Sequence, residues 1–312
     1  MPVLPPKLQL WLTQFNHILA QSERDGIQPT PELARMGLAN ITEQCVTDIP
    51  PINHVIDAEI CHTTIPCRIY HPDSNTPLPV ILFIHGGGHM CGNIDVYDPI
   101  SKKLAANCRC IVVSIDYRLA PEHPYPAGIQ DASNSLDNLY QTLDKLGVCH
   151  KKNITLVGDS AGAALATTII QTRSPRQPKI DKLVLIYPSL DYTFSADSLI
   201  DNGKGYLLET KKIEWYFNQY LQHQEDRAQV SPLFGTIPET HPETLIITAG
   251  YCPIKDDGIR YQQRLESEHI SCLHLHMENM LHAYLNLEDL AKHECHHTYI
   301  AISQFINNPP PL

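Results

Sequence analysis

"LVGDSAGAALA", residues 156–166, decides the fold. Gly158-Asp159-Ser160-Ala161-Gly162 fits the pattern G-x-S-x-G. An apolar, strand-like run, "ITLV", precedes it, and a small-residue stretch of helical character follows. A strand that enters a helix through so tight a turn holds the serine at the apex with its hydroxyl exposed. The flanking glycines relieve the crowding that such a turn creates. Ser160 is therefore a candidate nucleophile. The pattern also arises by chance in an occasional chain of this composition, so its context carries the reading.

Two further stretches supply that context. "FIHGGGH" places His85-Gly86-Gly87-Gly88 directly after an apolar run. Backbone amides in a glycine-rich turn approach a ligand closely and hydrogen-bond an oxygen that gains negative charge. A phosphate loop would need G-x-x-x-x-G-K-[ST], which this stretch lacks. His85 reads as a group that orients the loop and transfers no proton. "MENMLHAYLNL" places His282 after the last strand-like run, "CLHLHM", where a base reaches back to Ser160. His274 and His276 belong to that run and are not expected to act.

The same alternation extends outward. "VILFIHGGG", "CIVVSIDY", "ITLVGDSAG", "LVLIYPS" and "TLIITAGY" are short, continuously apolar and rich in Val and Ile. Such runs suit parallel strands buried on both faces, and helical segments lie between most of them. The expected fold class is α/β, with a mostly parallel sheet flanked by helices. "HVIDAEI" and "PCRIYHP" read as an antiparallel hairpin. In the first helix Leu8, Trp11, Phe15, Ile18 and Leu19 fall on one face. Thr30 is a plausible N-cap for a second helix, with Pro31 at its first position. Residues 195–226 interrupt the alternation with a turn-rich piece and a helix bearing Ile213, Tyr216, Phe217, Tyr220 and Leu221 on one face. The expected division is 1–50, helical; 51–194, core; 195–226, an inserted cap; and 227–312, core. "NNPPPL" reads as a frayed end.

Composition narrows the class. Apolar residues make up 43% of 312, ample for a buried core, and the formal charge is −11. That charge argues against nucleic acid or an anionic membrane surface as a partner. No run approaches the ~20 apolar residues of a membrane span. The N-terminus has no signal-peptide pattern. The ten scattered cysteines read as free thiols of a cytoplasmic protein. Cys108 with Cys110, and "HECHH" from His293 to His297, fall short of a four-ligand zinc site. No metal or cofactor is expected, and a monomer or a homodimer fits equally.

Together the motifs resemble the hormone-sensitive-lipase family of α/β-hydrolases, in its bacterial-type esterase branch with G-D-S-A-G. The likeness runs through "HGGGHMCGNIDVYD", "DYRLAPEHPYPAGIQDA", "GDSAGAALA", "YPSLD", "GYLLETKKIEWYFNQYL", "SPLFG", "GYCPIKDDG" and "MLHAYL". The resemblance implies an α/β-hydrolase sheet of the eight-stranded type with a helical cap. It also implies a serine esterase for short to medium acyl esters. Ser160 would be the nucleophile, His282 the general base, and the amides of Gly87, Gly88 and Ala161 the oxyanion hole, supported by His85 and Gly86. Residues 1–50 and 195–226 would cap the acyl pocket. Arg118 and Glu122 would pack behind the site.

One segment departs from the family pattern. "GYCPIKDDG", residues 250–258, matches a block that begins D-P-[LI]-x-D-[DE]-G, whose first Asp is the triad acid. Cys252 stands in that place. Three arrangements are open: Cys252 serves as thiol or thiolate, it is oxidised to an anionic sulfinate, or another carboxylate substitutes. The substitutes are Asp191 and Asp256, with Asp257 and Glu278 also near in sequence. A slowed esterase is expected. The alternative is an impaired member whose pocket binds a small molecule as a sensor.

Overall fold

The computed structural model describes residues 3–173 and 178–308. The last four residues of the proline-rich tail lie outside that range. Eight strands form one sheet: β1 (His54–Glu59), β2 (Pro66–His71), β3 (Leu78–Ile84), β4 (Ile111–Ile115), β5 (His150–Asp159), β6 (Lys182–Ile186), β7 (Glu243–Tyr251) and β8 (Cys272–Leu281). Their order is β1-β2-β4-β3-β5-β6-β7-β8. The first two pairings, β1 with β2 and β2 with β4, are antiparallel; the others are parallel. The hairpin is thus one edge of an otherwise parallel α/β sheet.

Central strands are buried on both faces because helices cover both sides. Every residue of β4 and β6 is buried, as are Val80–Ile84 of β3. The helix Ala161–Thr172 packs on β3, β5 and β6, and on the helix Ala127–Asp137. Its alanines and glycine let it sit close to the sheet, and nine of its twelve residues are buried. Thr30 caps the helix Pro31–Cys45 by accepting from the amide of Leu33 at 3.2 Å, with Pro31 in its first turn. That is the geometry its sequence demands.

The apolar face of the first helix, Pro6–Arg24, is buried only in part. Leu8 and Leu12 are buried, whereas Ile18 is 64% exposed. The second half of this helix meets residues 195–226 through polar contacts instead of a core. Asn16 Nδ2 donates to the carbonyl of Gly205 at 2.8 Å, and Glu23 pairs with Lys211. Phe15 faces a cavity described below.

Arg118 pairs with Asp131 through two hydrogen bonds of 2.8 Å, and Glu122 pairs with Arg35 at 2.6 Å. Both charges thus tie loops to helices. All ten cysteines are free. No helix among the described residues is long and apolar enough to cross a membrane.

Candidate active site

Ser160 is the single residue between β5 and the helix Ala161–Thr172. Its φ of 52° and ψ of −116° are unfavourable for an L-residue. The surroundings hold it there: its amide donates to Ile186 O at 2.9 Å, and its carbonyl accepts from Ser189 N at 3.3 Å. The crossing leaves no space for a side chain at Gly162, where a Cβ would stand 2.0 Å from Ile84 O. Gly162→Ala should therefore destabilise the protein by about 3 kcal/mol, since a main-chain carbonyl yields little. Equilibrium urea unfolding measures this, and unchanged stability would show that the elbow has slack.

The loop after β3 lies against the same elbow. Gly86 N donates to Asp159 Oδ1 at 2.7 Å, and the Tyr97 hydroxyl donates to Oδ2 at 3.3 Å. Burial pushes the Asp159 carboxyl up to about 7, against the pull of those two donors. His85 stacks between Tyr97 and Tyr117, with ring centroids 5.1 and 4.5 Å away. Burial lowers its pKa to about 4, so the ring is neutral, and its Nδ1 lies 2.8 Å from the carbonyl of Gly86. This environment suits a packing group. Gly87 has a φ of 118°, and a Cβ there would lie 2.1 Å from Cys91 O. Among the described residues the amides of Gly87, Gly88 and Ala161 donate to no protein acceptor.

His282 follows β8 directly, and its Nε2 lies 2.8 Å from Ser160 Oγ. Its Nδ1 lies 3.1 Å from the sulfur of Cys252. The Tyr187 ring meets the imidazole edge-on, with centroids 4.9 Å apart. Cys252 sits in the loop after β7, which residues from 195–226 fasten. Asn202 Nδ2 donates to the carbonyls of Gly250 and Cys252, both at 3.2 Å. Ser198 Oγ donates to Pro253 O at 2.8 Å.

Burial dominates the electrostatics. It pushes the Cys252 thiol well above its ordinary range. It also lowers the His282 imidazole to about 3, with Lys212 adding to the effect. Both groups are neutral at physiological pH. A neutral thiol and a neutral imidazole fit together in two ways. Either Nδ1–H donates to sulfur and leaves Nε2 as a base toward Ser160, or S–H donates to Nδ1 and Nε2 carries the proton. A carboxylate accepts only, and so would enforce the first arrangement.

The carboxylates weighed as substitutes do not meet the imidazole. Asp191 accepts from Thr193 and Ser195 and pairs with Arg260 at 2.7 Å. Asp256 accepts from Ser198 N at 2.9 Å. Asp257 accepts from the amides of Leu190 and Asp191 at 2.7 and 2.9 Å, tying the loop after β6 to the helix Lys255–Ser267. Glu278 is exposed. The three aspartates have structural partners, and Cys252 is the group that stands at Nδ1.

Ser160, His282, Gly87 and Gly88 line one cavity, together with Phe15, Leu38 and Ile41 from the N-terminal helices and Lys212, Ile213 and Tyr216 from the helix Thr210–Tyr220. Sequence reasoning missed Asp159, Tyr187 and Lys212. Asp159 had a signal, being inside G-D-S-A-G. Tyr187 and Lys212 had none, because their proximity to the histidine is made by the fold.

Residues 81–286 match the model of a family described as having the alpha/beta hydrolase fold. The chain belongs to that alpha/beta hydrolase family. The hydrolase is 33% identical over 271 residues to the esterase LipI of Mycobacterium tuberculosis, covering 84% of this chain and 82% of the relative. It is 33% identical to the ethyl acetate hydrolase of Pseudomonas putida over 65% of this chain and 66% of that one. The structure of a hyperthermophilic esterase from the archaeon Pyrobaculum calidifontis superimposes with a TM-score of 0.85. Its sequence is 28% identical, and 98% of each chain is covered.

Proposed function

We propose that this hydrolase is a serine carboxylesterase of the hormone-sensitive-lipase type, acting on short to medium acyl esters and slowed by a thiol at the triad acid position. The contact that carries this reading is Ser160 Oγ to His282 Nε2, 2.8 Å, at the wall of a largely apolar cavity. The relatives' esterase activities support the substrate class.

In this reading Ser160 Oγ attacks the ester carbonyl while Nε2 takes its proton. The carbonyl oxygen becomes an oxyanion, held by the amides of Gly87, Gly88 and Ala161. Collapse of the intermediate breaks the bond to the alcohol oxygen, which leaves with the proton from Nε2. Water then attacks the acyl-serine, gives a proton to Nε2, and Ser160 recovers it as the acid departs. Residues 1–50 and 195–226 act as a cap, since both contribute cavity walls. The unpaired cysteines suit the reducing cytoplasm.

A fluorophosphonate probe should label Ser160, and p-nitrophenyl butyrate should be hydrolysed at a rate that Ser160→Ala reduces. The thiol facing Nδ1 favours a second reading, a binding protein. Absence of both labelling and Ser160-dependent turnover, with a small molecule still bound, would establish it.

A further inference from the structure

Lys212 is out of place in an apolar ester pocket. It lies in the first turn of the helix Thr210–Tyr220 and lines the same cavity as Ser160 and His282. Among the described residues its ammonium has no carboxylate partner. Its neighbour Lys211 takes the available acids, pairing with Glu23 and, at 3.3 Å, with Glu209. Asp159, the one carboxylate among the cavity-lining residues, is buried and engaged by Gly86 and Tyr97. The nearest aromatic support for Lys212 is the Tyr216 ring, 5.7 Å from Nζ. Phe15, Leu38, Ile41, Ile213 and Phe217 form much of the remaining wall. Lys212 is half-buried among such groups, and that burial lowers its pKa. A methionine would fill the same space without that cost.

We infer that Lys212 is a specificity residue, and that the preferred substrates are esters carrying a second, anionic group, a carboxylate above all. This deepens the esterase reading and rests on it. Two consequences follow for an anion seated on Lys212. It supplies the charge-assisted partner that the ammonium lacks. It also cancels a positive charge that disfavours the imidazolium of His282, formed each time Ser160 gives up its proton. That second effect matters here because the neutral Cys252 thiol provides no compensating negative charge. The preference should therefore appear in kcat as well as in KM.

The test compares monoethyl succinate and monoethyl glutarate with ethyl valerate, which place the anion or its neutral counterpart on the acyl side. Butyryl glycolate against ethyl butyrate does the same on the alcohol side. In the native chain the charged member of at least one pair should have a kcat/KM about tenfold or more above its neutral counterpart. Lys212→Met should remove that advantage and raise turnover of the neutral esters, while Lys212→Arg keeps the advantage. An equal charged-to-neutral ratio in the native chain and Lys212→Met, with hydrolysis still dependent on Ser160, overturns the inference and leaves the esterase intact. A chain that cleaves no ester and takes no fluorophosphonate fails as an esterase instead. The anion subsite is then judged by thermal shift with monoethyl succinate. A rise in Tm in the native chain that Lys212→Met abolishes supports it, and no rise refutes it.

Discussion

Replacing Cys252 with Asp should raise kcat/KM by as much as about 10⁴, the factor lost when a serine protease's triad acid ceases to accept from its histidine. The reason is geometric and electrostatic. The sulfur is already 3.1 Å from His282 Nδ1, so a carboxylate introduced there starts from the right position. It accepts only, so Nδ1 must carry the proton and Nε2 is left free to take one from Ser160. Its negative charge also stabilises the imidazolium, which in the native chain is disfavoured by burial and by Lys212. The pH profile should move with the rate. With a thiol at Nδ1 the imidazole remains unprotonated down to a pH of about 3, and protonation of His282 does not limit kcat/KM near neutrality. An anion beside the ring raises its pKa, so the acid limb of Cys252→Asp should lie at higher pH than that of the native chain. Steady-state kinetics on p-nitrophenyl butyrate from pH 4 to 9 measure both effects. No gain in rate and no shift of the limb would mean that another group already serves as the acid.

Ser160→Ala should cost far less in the native chain than in Cys252→Asp. Triad members act as a unit. In subtilisin, losing the serine or the histidine costs about 2 × 10⁶ in kcat, and losing the aspartate alone costs about 3 × 10⁴. A chain that already lacks the acid therefore has only the remaining factor, on the order of 10², left to lose. In the Cys252→Asp background the same substitution should cost about 10⁶. The four rates of this double-mutant cycle are compared in one assay, with thermal unfolding of all four chains to detect misfolded protein and fluorophosphonate titration of the two that keep Ser160. Equal losses, both far below about 10⁶, would show that Cys252 and Ser160 act independently, contrary to the triad geometry. A loss near 10⁶ in the native chain would mean that the thiol performs as well as a carboxylate.

Much of this site was legible before any coordinates. G-x-S-x-G and H-G-G-G are local devices: a strained turn and a loop of close backbone approach, each written in consecutive residues. The structure puts Ser160 at that turn and gives Gly87 a φ that side chains rarely adopt. The acid position was legible in part. "GYCPIKDDG" marked Cys252, yet Asp191, Asp256, Asp257 and Glu278 remained possible because nothing local says which group faces Nδ1 of a histidine thirty residues on. In the structure Arg260, Ser198 and the amides of Leu190 and Asp191 engage three of these carboxylates. Ile18 shares the apolar face of the first helix and is nonetheless exposed, for a related reason. Periodicity reports that a stripe is apolar, whereas burial depends on what the stripe meets.

From sequence alone came the parallel α/β sheet, the serine elbow, the glycine loop and the order of serine, acid position and histidine. These rest on residue type at short spacing, where sterics and backbone hydrogen bonding act over a few residues. Only the tertiary structure decided that a thiol meets His282 Nδ1, that Asp159 anchors the glycine loop, and that Lys212 stands in the pocket without a carboxylate partner among the described residues. Those contacts join strand ends and a helix far apart in the chain. Their meaning lies in the shared low-polarity surroundings, which keep thiol and imidazole neutral and make a single unpaired cation consequential.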